Sequence, residues 1–395
     1  MMHLSLSTLD FIRTHSEEDV RTLALQARKY LAVDMPAAIV QIAGRQSAAG
    51  KIPSWQAVDG LLYPRHLSLE QCSSEVTARY KATLVAGGES FADLTGGFGI
   101  DCAFLSTRFQ KAAYVERQEE LCWIAAHNFP LLGLHPITVC NEDGVAYLQQ
   151  MQPVDCLFID PARRNEHGGK TVAISDCEPD VAALEELLLT KARQVMIKLS
   201  PMLDLTLALR DMPHTTEAHI ISVNNECKEL VLILSREPKK EVTIHCVNLT
   251  ASKRNQHVAF TREQEQKADC TYTSQPGTYL YEPNASLLKA GAYRWLASIY
   301  KVEKLHPNSH LYTSDTRVED FPGRIFRITS VCTFNKKEMK ESLSDIKKAN
   351  ITVRNFPASV AELRKRTKLT EGGDTYLFAT TLADEQKVLI RCTKA

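Results

Sequence analysis

Short apolar runs alternate with helix-like stretches between residues 90 and 235, and this alternation limits the possible folds more than any other feature. The runs have the length of buried strands, and the stretches between them have the spacing of helices. Seven runs are strand candidates, at residues 91–94, 112–115, 137–139, 156–159, 195–199, 219–223 and 230–234. The pattern predicts an α/β fold with a largely parallel, doubly wound sheet whose last two strands form an antiparallel hairpin.

The sequence on either side of this region follows other patterns. Before it, capping residues precede apolar residues at helical spacing, and after it a loop is expected at 264–271 and one helix at 287–300. We expect four parts: a mostly helical N-terminal part at 1–80, the α/β domain at 81–236, a connecting region at 237–320 and a small α+β domain at 321–395.

Composition is typical of a folded protein of a reducing compartment. The 395 residues suffice for two to three domains at roughly 150 residues each, and 44% of them are apolar. The N-terminus lacks the pattern of a signal peptide, and no apolar stretch of about 18 residues occurs. Eleven cysteines are scattered without a C-x-x-C pair, which argues against zinc sites and disulfide frameworks. We expect a cytoplasmic protein with no metal and no membrane partner.

Charge is divided unevenly along the chain, although Lys and Arg together equal Asp and Glu at 47 each. Residues 321–395 carry 15 basic and 8 acidic side chains, a net charge of +7 that would attract a phosphate backbone. A solvated basic face with no partner is an equally good interpretation. The candidate RNA contacts in this part are Lys336, Lys340, Arg354, Arg364 and Arg366, with Phe356 as a stacking group.

The strongest chemical signal is a strand that ends in an acidic residue and runs through three glycines into a helix. Asp93 ends the strand, and Gly96, Gly97 and Gly99 would let a ligand approach the backbone beside a helix N-terminus. The spacing differs from G-x-G-x-x-G, which disfavours NAD. A tight connection without a ligand would have the same glycines.

Acidic residues also follow the next two strands. Glu116 lies 23 positions after Asp93, where a carboxylate can accept both ribose hydroxyls of a nucleoside. The turn after the third strand contains two carboxylates, Glu142 and Asp143, either of which can accept from an adenine amino group. Three acidic groups at successive strand ends favour a nucleoside site.

With these strand ends, residues 68–235 resemble a class I methyltransferase that depends on S-adenosylmethionine. The resemblance implies a Rossmann-like sheet, with Asp93 and the glycines beside the methionine part of the cofactor, Glu116 on the ribose and Asp143 on the adenine. The segment at 71–78 resembles the one that precedes the cofactor loop in cap-guanosine N2 methyltransferases.

That second likeness implies that Ser74 and Thr77 lie over the cofactor. A plain helix cap is the alternative for the pair, although Ser74-x-x-Thr77 lacks the glutamate of a capping box.

The fourth strand ends in Asp160-Pro161-Ala162-Arg163, at the position that faces the methyl group in this fold. Many nucleic-acid amino-methyltransferases carry Asp/Asn/Ser-Pro-Pro-aromatic there, which implies that Asp160 and the Pro161 backbone orient an acceptor amine. Ala162 and Arg163 replace the second proline and the ring, so Arg163 and Arg164 become candidates for holding phosphate instead.

The same motif resembles the Asp-Pro-Pro-Arg of RNA uridine C5 methyltransferases. Those enzymes need a cysteine nucleophile after the fifth strand, and residues 197–202 contain none. C5 chemistry is therefore disfavoured.

The whole chain resembles a bacterial family of class I methyltransferases with a C-terminal THUMP-like domain. The residues that carry the likeness are 72–78, 93–101, 160–164, 281–285, 310–314 and 354–357. The family implies a helical N-terminal part, a methyltransferase domain, a small ferredoxin-like piece near 240–280 and a C-terminal module of RNA-binding type.

These observations together predict an S-adenosylmethionine-dependent methyltransferase that acts on a structured RNA, tRNA or rRNA, at a base amine. One alternative is a small-molecule methyltransferase whose C-terminal part is a lid or a dimer interface. The other is a non-catalytic RNA-binding protein that retains the fold, which the Ala162-Arg163 departure keeps open.

Overall fold

The computed structural model describes residues 4–163, 174–237, 239–251 and 254–395. The chain divides into two compact units. Unit 1 comprises residues 1–217 and 229–239, and unit 2 comprises residues 218–228 and 240–395.

Unit 1 begins with helices whose first turns are held by capping side chains. Ser5, Asp19 and Asp34 each accept a hydrogen bond from a backbone N–H of the helix that follows. Phe11 and Leu23 lie in the apolar core that these helices share. The helices are α1 (Leu6–Thr14), α2 (Val20–Leu25), α3 (Met35–Lys51), α4 (Pro53–Gln56), α5 (His66–Gln71) and α6 (Glu75–Ala82).

The rest of unit 1 alternates strands and helices, as the sequence predicts. The strands are β1 (Gly88–Asp93), β2 (Phe109–Glu116), β3 (Ile137–Asn141), β4 (Val154–Ile159), β5 (Ala162–Arg163), β6 (Cys177–Glu178) and β7 (Ala192–Leu199). Two more strands, β8 (Thr215–Val223) and β9 (Glu226–Ser235), belong partly to unit 1 and partly to unit 2. The helices are α7 (Ile100–Ser106), α8 (Glu119–Leu131), α9 (Gly144–Gln150), α10 (Val181–Lys191) and α11 (Leu205–Asp211).

The main sheet of unit 1 has the order β9-β7-β4-β1-β2-β3. The pairs β1/β2, β2/β3, β1/β4 and β4/β7 are parallel, and β9 runs antiparallel to β7. The start of β8 borders β9, because the Thr216 hydroxyl donates to the Ile233 carbonyl at 3.1 Å. The predicted doubly wound, largely parallel sheet is therefore confirmed.

The predicted hairpin is confirmed as well. Two residues, Asn224 and Asn225, join β8 to β9, and their φ angles are 49° and 67°. A two-residue turn with both φ values positive matches the twist of antiparallel strands, and asparagine tolerates that conformation better than most residues.

Unit 2 contains an antiparallel pair and a seven-stranded sheet. The pair is β10 (Thr243–Leu249) with β11 (Gln256–Phe260). The sheet strands are β12 (Tyr279–Pro283), β13 (Glu303–Lys304), β14 (Tyr312–Ser314), β15 (Gly323–Thr333), β16 (Asn350–Arg354), β17 (Tyr376–Thr381) and β18 (Lys387–Lys394). Their order is β13-β14-β12-β15-β18-β17-β16, with only β16 and β17 parallel among the pairs described.

Five helices accompany these strands: α12 (Arg262–Lys267), α13 (Ala285–Ala290), α14 (Arg294–Tyr300), α15 (Lys336–Leu343) and α16 (Val360–Thr367). The last two lie in the basic C-terminal part, which is the small α+β domain that the sequence predicts. None of the helices in the described ranges combines the length and apolar character needed to cross a membrane.

Two local predictions in unit 2 are wrong. The loop expected at 264–271 begins as helix α12, because Thr261 and Gln264 form a reciprocal capping box. The single helix expected at 287–300 is two helices, α13 and α14. Gly291 ends α13 with a φ of 75°, a conformation that terminates helices and favours glycine.

Candidate active site

Three predicted carboxylates lie at one edge of the unit 1 sheet. Asp93 ends β1, Glu116 ends β2, and Asp160 directly follows β4. Because β1 lies between β2 and β4 and is parallel to both, these ends share one edge. The crevice outside the carboxyl ends, where the strand order changes direction, is the usual ligand site of such sheets.

Asp93 is a buried carboxylate with one free oxygen. Its side chain belongs to a residue that is 1% exposed, and Oδ1 accepts from the Thr95 backbone N–H at 3.0 Å. Oδ2 has no hydrogen-bond partner within the described residues. Burial raises the pKa of Asp93 well above its usual value, and the nearby Asp101, Asp160 and Glu116 raise it further. A buried acceptor of this kind needs a donor, which a ligand can supply.

The glycine loop after β1 is packed too closely for side chains. A Cβ atom at Gly96 would lie 2.3 Å from the Tyr114 ring, and one at Gly99 would lie 2.9 Å from the Phe129 ring. Gly99 also has a φ of 88° as it begins α7. The glycines are therefore required by the loop's own conformation and packing, which bring backbone to the end of β1.

Glu116 is tied directly to this loop. Its Oε2 accepts from the Gly97 N–H at 2.9 Å, and its Oε1 accepts from the Gln118 N–H at 2.8 Å. Each carboxylate oxygen has a second lone pair, so Glu116 can still accept hydrogen bonds from a ligand. The structure thus brings two of the predicted groups together.

Asp143 caps helix α9. Its Oδ1 accepts from the Val145 and Ala146 N–H groups at 2.9 and 3.1 Å, and the residue is exposed. A Cβ atom on the next residue, Gly144, would lie 2.2 Å from the Leu94 carbonyl oxygen, so this turn abuts the end of β1. Glu142, the alternative for adenine, accepts from the Gln150 side chain at 3.1 Å.

Ser74 and Thr77 make the contacts of a helix cap. The Ser74 Oγ accepts from the Thr77 N–H at 3.4 Å at the start of α6, and the Thr77 hydroxyl donates to the Ser74 carbonyl at 3.0 Å. Both interactions are local. They are the contacts of a plain helix cap, which is the alternative to a position over the cofactor.

Asp160 joins the glycine loop to a lysine that the sequence analysis did not single out. Its backbone N–H donates to the Thr95 hydroxyl at 2.7 Å, and its Oδ2 is hydrogen-bonded to the Nζ of Lys198 at the end of β7. Burial raises the pKa of Asp160 although Lys198 opposes the change. Burial alone would lower the pKa of Lys198, but Asp160, Asp101 and Glu229 raise it, which favours the ammonium form.

The remaining residues of the motif are only partly described. Pro161 is buried, and Ala162 with Arg163 forms the short strand β5, which pairs with β6. The side chain of Arg163 and the whole of Arg164 lie outside the described residues. The predicted phosphate contacts by these two arginines therefore remain predictions.

Behind Asp160 lies a buried charge cluster, which we define as Ser73, Lys81, Asp101, Lys198 and Glu229. Lys81 is fully buried, and its Nζ lies 2.8 Å from Asp101 Oδ1 and 2.6 Å from Glu229 Oε2. Lys81 also donates to the Ser73 hydroxyl at 2.8 Å, and Ser73 donates to Asp101 Oδ2 at 2.6 Å. Lys198 Nζ lies 3.9 Å from Asp101 Oδ2, which links the cluster to Asp160.

A sequence signal for the cluster existed. Lys198 is the only charged residue of the apolar run at 195–199, and Glu229 directly precedes the apolar run at 230–234. A buried charge needs a partner, so each isolated charge in an apolar strand predicts another nearby in space. Which charges pair with each other could not be predicted, because the charged residues of the cluster come from four separate elements, α6, α7, β7 and β9.

The predicted RNA contacts in unit 2 fall into two groups. Lys336 and Lys340 on α15 and Arg366 on α16 are exposed. The Arg366 guanidinium lies 4.8 Å from the centroid of the Phe334 ring, which packs edge-on against Phe356. These three cations are available to a polyanion.

Arg354 and Arg364 are bound within unit 2. Arg354 donates to Oε1 of the buried Glu282 at 3.0 Å, and Arg324 contacts the other oxygen of the same carboxylate. Arg364 donates to the carbonyls of Ala349 and Leu369 at 3.4 and 3.3 Å. Both arginines already have partners, which points to a structural role beside the predicted one.

Comparisons with known proteins place domains on unit 2 and a homologue over nearly the whole chain. A ferredoxin-like domain model matches residues 279–322, later than the 240–280 expected, and a THUMP domain-like model matches residues 323–394. The crystal structure of a "putative methyltransferase from Porphyromonas gingivalis W83" is 35% identical, with a TM-score of 0.88, and the match covers 99% of this chain and 98% of that one.

Two further solved structures are much less similar. An rRNA methylase from Streptococcus thermophilus is 13% identical, with a TM-score of 0.31, over 42% of this chain and 98% of that one. TrmN from Thermus thermophilus is also 13% identical, with a TM-score of 0.34, over 43% of this chain and 51% of that one. Likenesses this weak say nothing about a substrate. No curated protein matches the chain.

Proposed function

Because the chain belongs to the class I methyltransferases that carry a C-terminal THUMP-like domain, we propose that it transfers a methyl group from S-adenosylmethionine to a structured RNA. One observation carries the cofactor part of the proposal. The free buried oxygen of Asp93 lies at the end of β1, next to a glycine loop whose backbone is bound by Glu116.

The residues at this edge fit S-adenosylmethionine. Asp93 Oδ2 would accept from the amino group of the methionine part, beside the loop that Gly96, Gly97 and Gly99 keep free of side chains. Glu116 would accept from the ribose hydroxyls. Asp143 would accept from the adenine amine, and α6, with Ser74 as its N-cap and Thr77 in its first turn, would lie over the ligand.

The bound cofactor supplies a methyl group that its sulfonium already activates. The protein's own task is then to hold an acceptor in line with that methyl group, since correct placement alone removes much of the barrier. Asp160, with the Pro161 backbone, would orient the acceptor. Arg163 and Arg164 would hold a phosphate.

The acceptor predicted from the sequence is a base amine. A hydroxyl is the second candidate, and the contact between Lys198 and Asp160 favours it. The absence of an aromatic residue at Ala162 and Arg163 weakens the case for a stacked base.

The RNA part of the proposal is supported by the basic C-terminal domain. Lys336, Lys340 and Arg366 are exposed there, and residues 321–395 carry a net charge of +7. Exposed cations of this kind bind the phosphate backbone with a strong salt dependence. A tRNA or an rRNA is the partner class that we propose, in the cytoplasm.

Two measurements test the proposal in sequence. Calorimetric titration with S-adenosylmethionine should give binding to the wild type and loss of binding in Asp93→Ala and Glu116→Ala. Transfer of labelled methyl groups to total RNA from a strain lacking this gene should then follow. Wild-type protein that binds neither S-adenosylmethionine nor RNA would contradict the proposal.

The two alternatives give different results in the same experiments. A small-molecule methyltransferase would bind the cofactor but show no salt-sensitive binding of RNA. A non-catalytic RNA-binding protein would bind RNA equally well after Asp160→Ala and would transfer no methyl group to any RNA.

A further inference from the structure

Where the methyl-accepting molecule would bind, a hydrogen-bond donor and a hydrogen-bond acceptor of the protein lie side by side. The Lys198 ammonium has three N–H donors, one of which is used on Asp160 Oδ2. Within the described part of the chain, Nζ of Lys198 makes no other hydrogen bond, and Oδ1 of Asp160 accepts none. The Asp160 side chain is 35% exposed and that of Lys198 is 11% exposed, so a ligand can reach the pair from the side of Asp160.

An exocyclic base amine does not match this pair. The amino group of guanine or adenine is a donor of two hydrogens, as an amide NH₂ group is, so its complement is a set of acceptors. The ammonium of Lys198 adds N–H donors at the place where such an amine would have to lie. It would also compete for the Asp160 carboxylate that the amine needs.

A hydroxyl matches the pair on both counts. Its O–H can donate to Asp160 while its oxygen accepts from Lys198, because a hydroxyl is one donor and two acceptors. RNA offers such a group on every nucleotide, the ribose 2′-OH. A ribose also needs no aromatic ring to stack on, in agreement with Arg163 at the position that the ring occupies in the amino-methyltransferase motif.

We infer that the acceptor is a ribose 2′-hydroxyl of RNA, held between Asp160 and Lys198. This inference rests on the proposed function and names the atom that the site would methylate. Lys198 and Asp160 are the catalytic residues, since both would touch the reacting oxygen.

The reaction balances with these groups alone. The hydroxyl proton moves to Asp160, the hydroxyl oxygen forms a bond to the methyl carbon, and the carbon–sulfur bond breaks with its electron pair going to the sulfonium. The products are a 2′-methyl ether, a neutral thioether and a protonated Asp160 that releases its proton to water. The Lys198 ammonium stabilises the negative charge that develops on the oxygen.

The buried charge cluster keeps this lysine in place. Lys81 is a positioning residue, because its Nζ bonds to Asp101 and Glu229 rather than to the open side of the site. Asp101 in turn lies 3.9 Å from Lys198. With Asp160, the cluster contains two cations and three carboxylates, so Lys198 is surrounded by compensating charge.

The decisive experiment locates the methyl group after transfer. Full-length protein is incubated with radiolabelled S-adenosylmethionine and total RNA from a strain lacking this gene, and the RNA is hydrolysed with alkali. A 2′-O-methyl group blocks cleavage at its nucleotide, so we expect the label in alkali-resistant dinucleotides. Mass spectrometry of enzymatic digests should then show a 2′-O-methylnucleoside.

The other outcomes separate the two proposals. Label in mononucleotides, as a base-methylated nucleoside, would overturn the inference and leave the proposed RNA methyltransferase standing. No label in any RNA, with S-adenosylmethionine still bound, would overturn both.

Variants assign the role of Lys198. Lys198→Met should lower transfer by on the order of 100-fold or more while calorimetric binding of S-adenosylmethionine is retained. Lys198→Arg should restore part of the activity, because it keeps a cationic donor. Lys111→Met, which removes an exposed lysine on β2, is the matched control and should leave transfer unchanged. Full activity of folded Lys198→Met would contradict the inference.

Discussion

The Nζ of Lys81 lies 2.6 Å from Oε2 of Glu229, 148 positions later in the chain. The contact joins α6 to β9 in the interior of unit 1, where Lys81 is fully buried and Glu229 is 4% exposed. Asp101 shares the same ammonium at 2.8 Å. One cation therefore compensates two buried carboxylates.

Lys81→Met should destabilise unit 1 by about 3–5 kcal/mol, because it leaves buried carboxylates without their cation. The free energy of unfolding, measured by urea denaturation with circular dichroism, gives the value. The double variant Lys81→Met/Glu229→Gln should recover part of the loss, since it also removes one of the stranded charges. A single variant as stable as the wild type would show that the cluster does not depend on this lysine.

Gly96→Ala should weaken both the fold and the binding of S-adenosylmethionine. The added methyl group would lie 2.3 Å from the Tyr114 ring, so the loop must shift, at about 1–3 kcal/mol. Thermal unfolding and calorimetric titration measure the two effects. Gly50→Ala is the control, because a Cβ atom there meets nothing within 4 Å, and it should be neutral or slightly stabilising.

Unit 2 should lose stability in acid through His310. Its ring stacks on Tyr293 with centroids 3.6 Å apart, and burial, with Lys304 and Arg354 nearby, lowers the pKa of His310 from 6.5 to about 4. The unfolded chain binds a proton at this residue below about pH 6.5, whereas the folded chain does so only near pH 4, so stability falls across that interval.

The His310→Asn variant isolates this contribution. Asparagine tolerates the positive φ of 53° at this position and does not titrate there. Thermal unfolding at neutral and acidic pH should show a smaller loss of stability in the variant than in the wild type. Equal losses in the two proteins would assign the acid sensitivity to other groups.

Lys336→Ala and Lys340→Ala should weaken RNA binding without changing the fold. Both side chains are exposed on α15, so each loss should reduce the salt dependence of binding by roughly 0.7 to 0.9 per phosphate contact removed. Filter binding of total RNA at several salt concentrations measures the slope. Unchanged slopes in both variants would argue that RNA does not contact this helix.

Arg354→Gln provides a contrast on the same domain. Because Arg354 pairs with the buried Glu282, removing the Arg354 guanidinium should lower the unfolding temperature of unit 2, and any effect on RNA binding should follow from that loss of stability. A change in RNA binding at full stability would instead favour the direct contact predicted from the sequence.

The sequence predicts the sheet of unit 1 well because its strands are short apolar runs separated by helices, and each run has a single plausible role. Glu116 could be placed at a strand end, and its bond to Gly97 follows from that position. Helices that depend on a specific capping interaction were harder to predict. Helix α12 depends on a reciprocal cap between Thr261 and Gln264, within a segment whose polarity resembles a loop.

The contacts of Lys198 and Arg354 could not be predicted, for a different reason. Each depends on partners from distant strands, Asp160 for one and Glu282 for the other. A charged residue shows in the sequence only that it needs a partner or solvent. Only the three-dimensional structure shows whether the charge meets a partner or solvent. In this structure Lys198 contacts Asp160 in the candidate site, and Arg354 contacts Glu282 within unit 2.

The hydrogen bond from the Asp160 N–H to the Thr95 hydroxyl connects the loop after β1 with the end of β4. If donor and acceptor molecules bind at these two places, a single side chain of three heavy atoms sets the spacing between them. The two half-sites are then mechanically coupled, so a displacement of one would carry the other with it. Alignment of the reacting atoms would survive thermal motion of the loop as a whole.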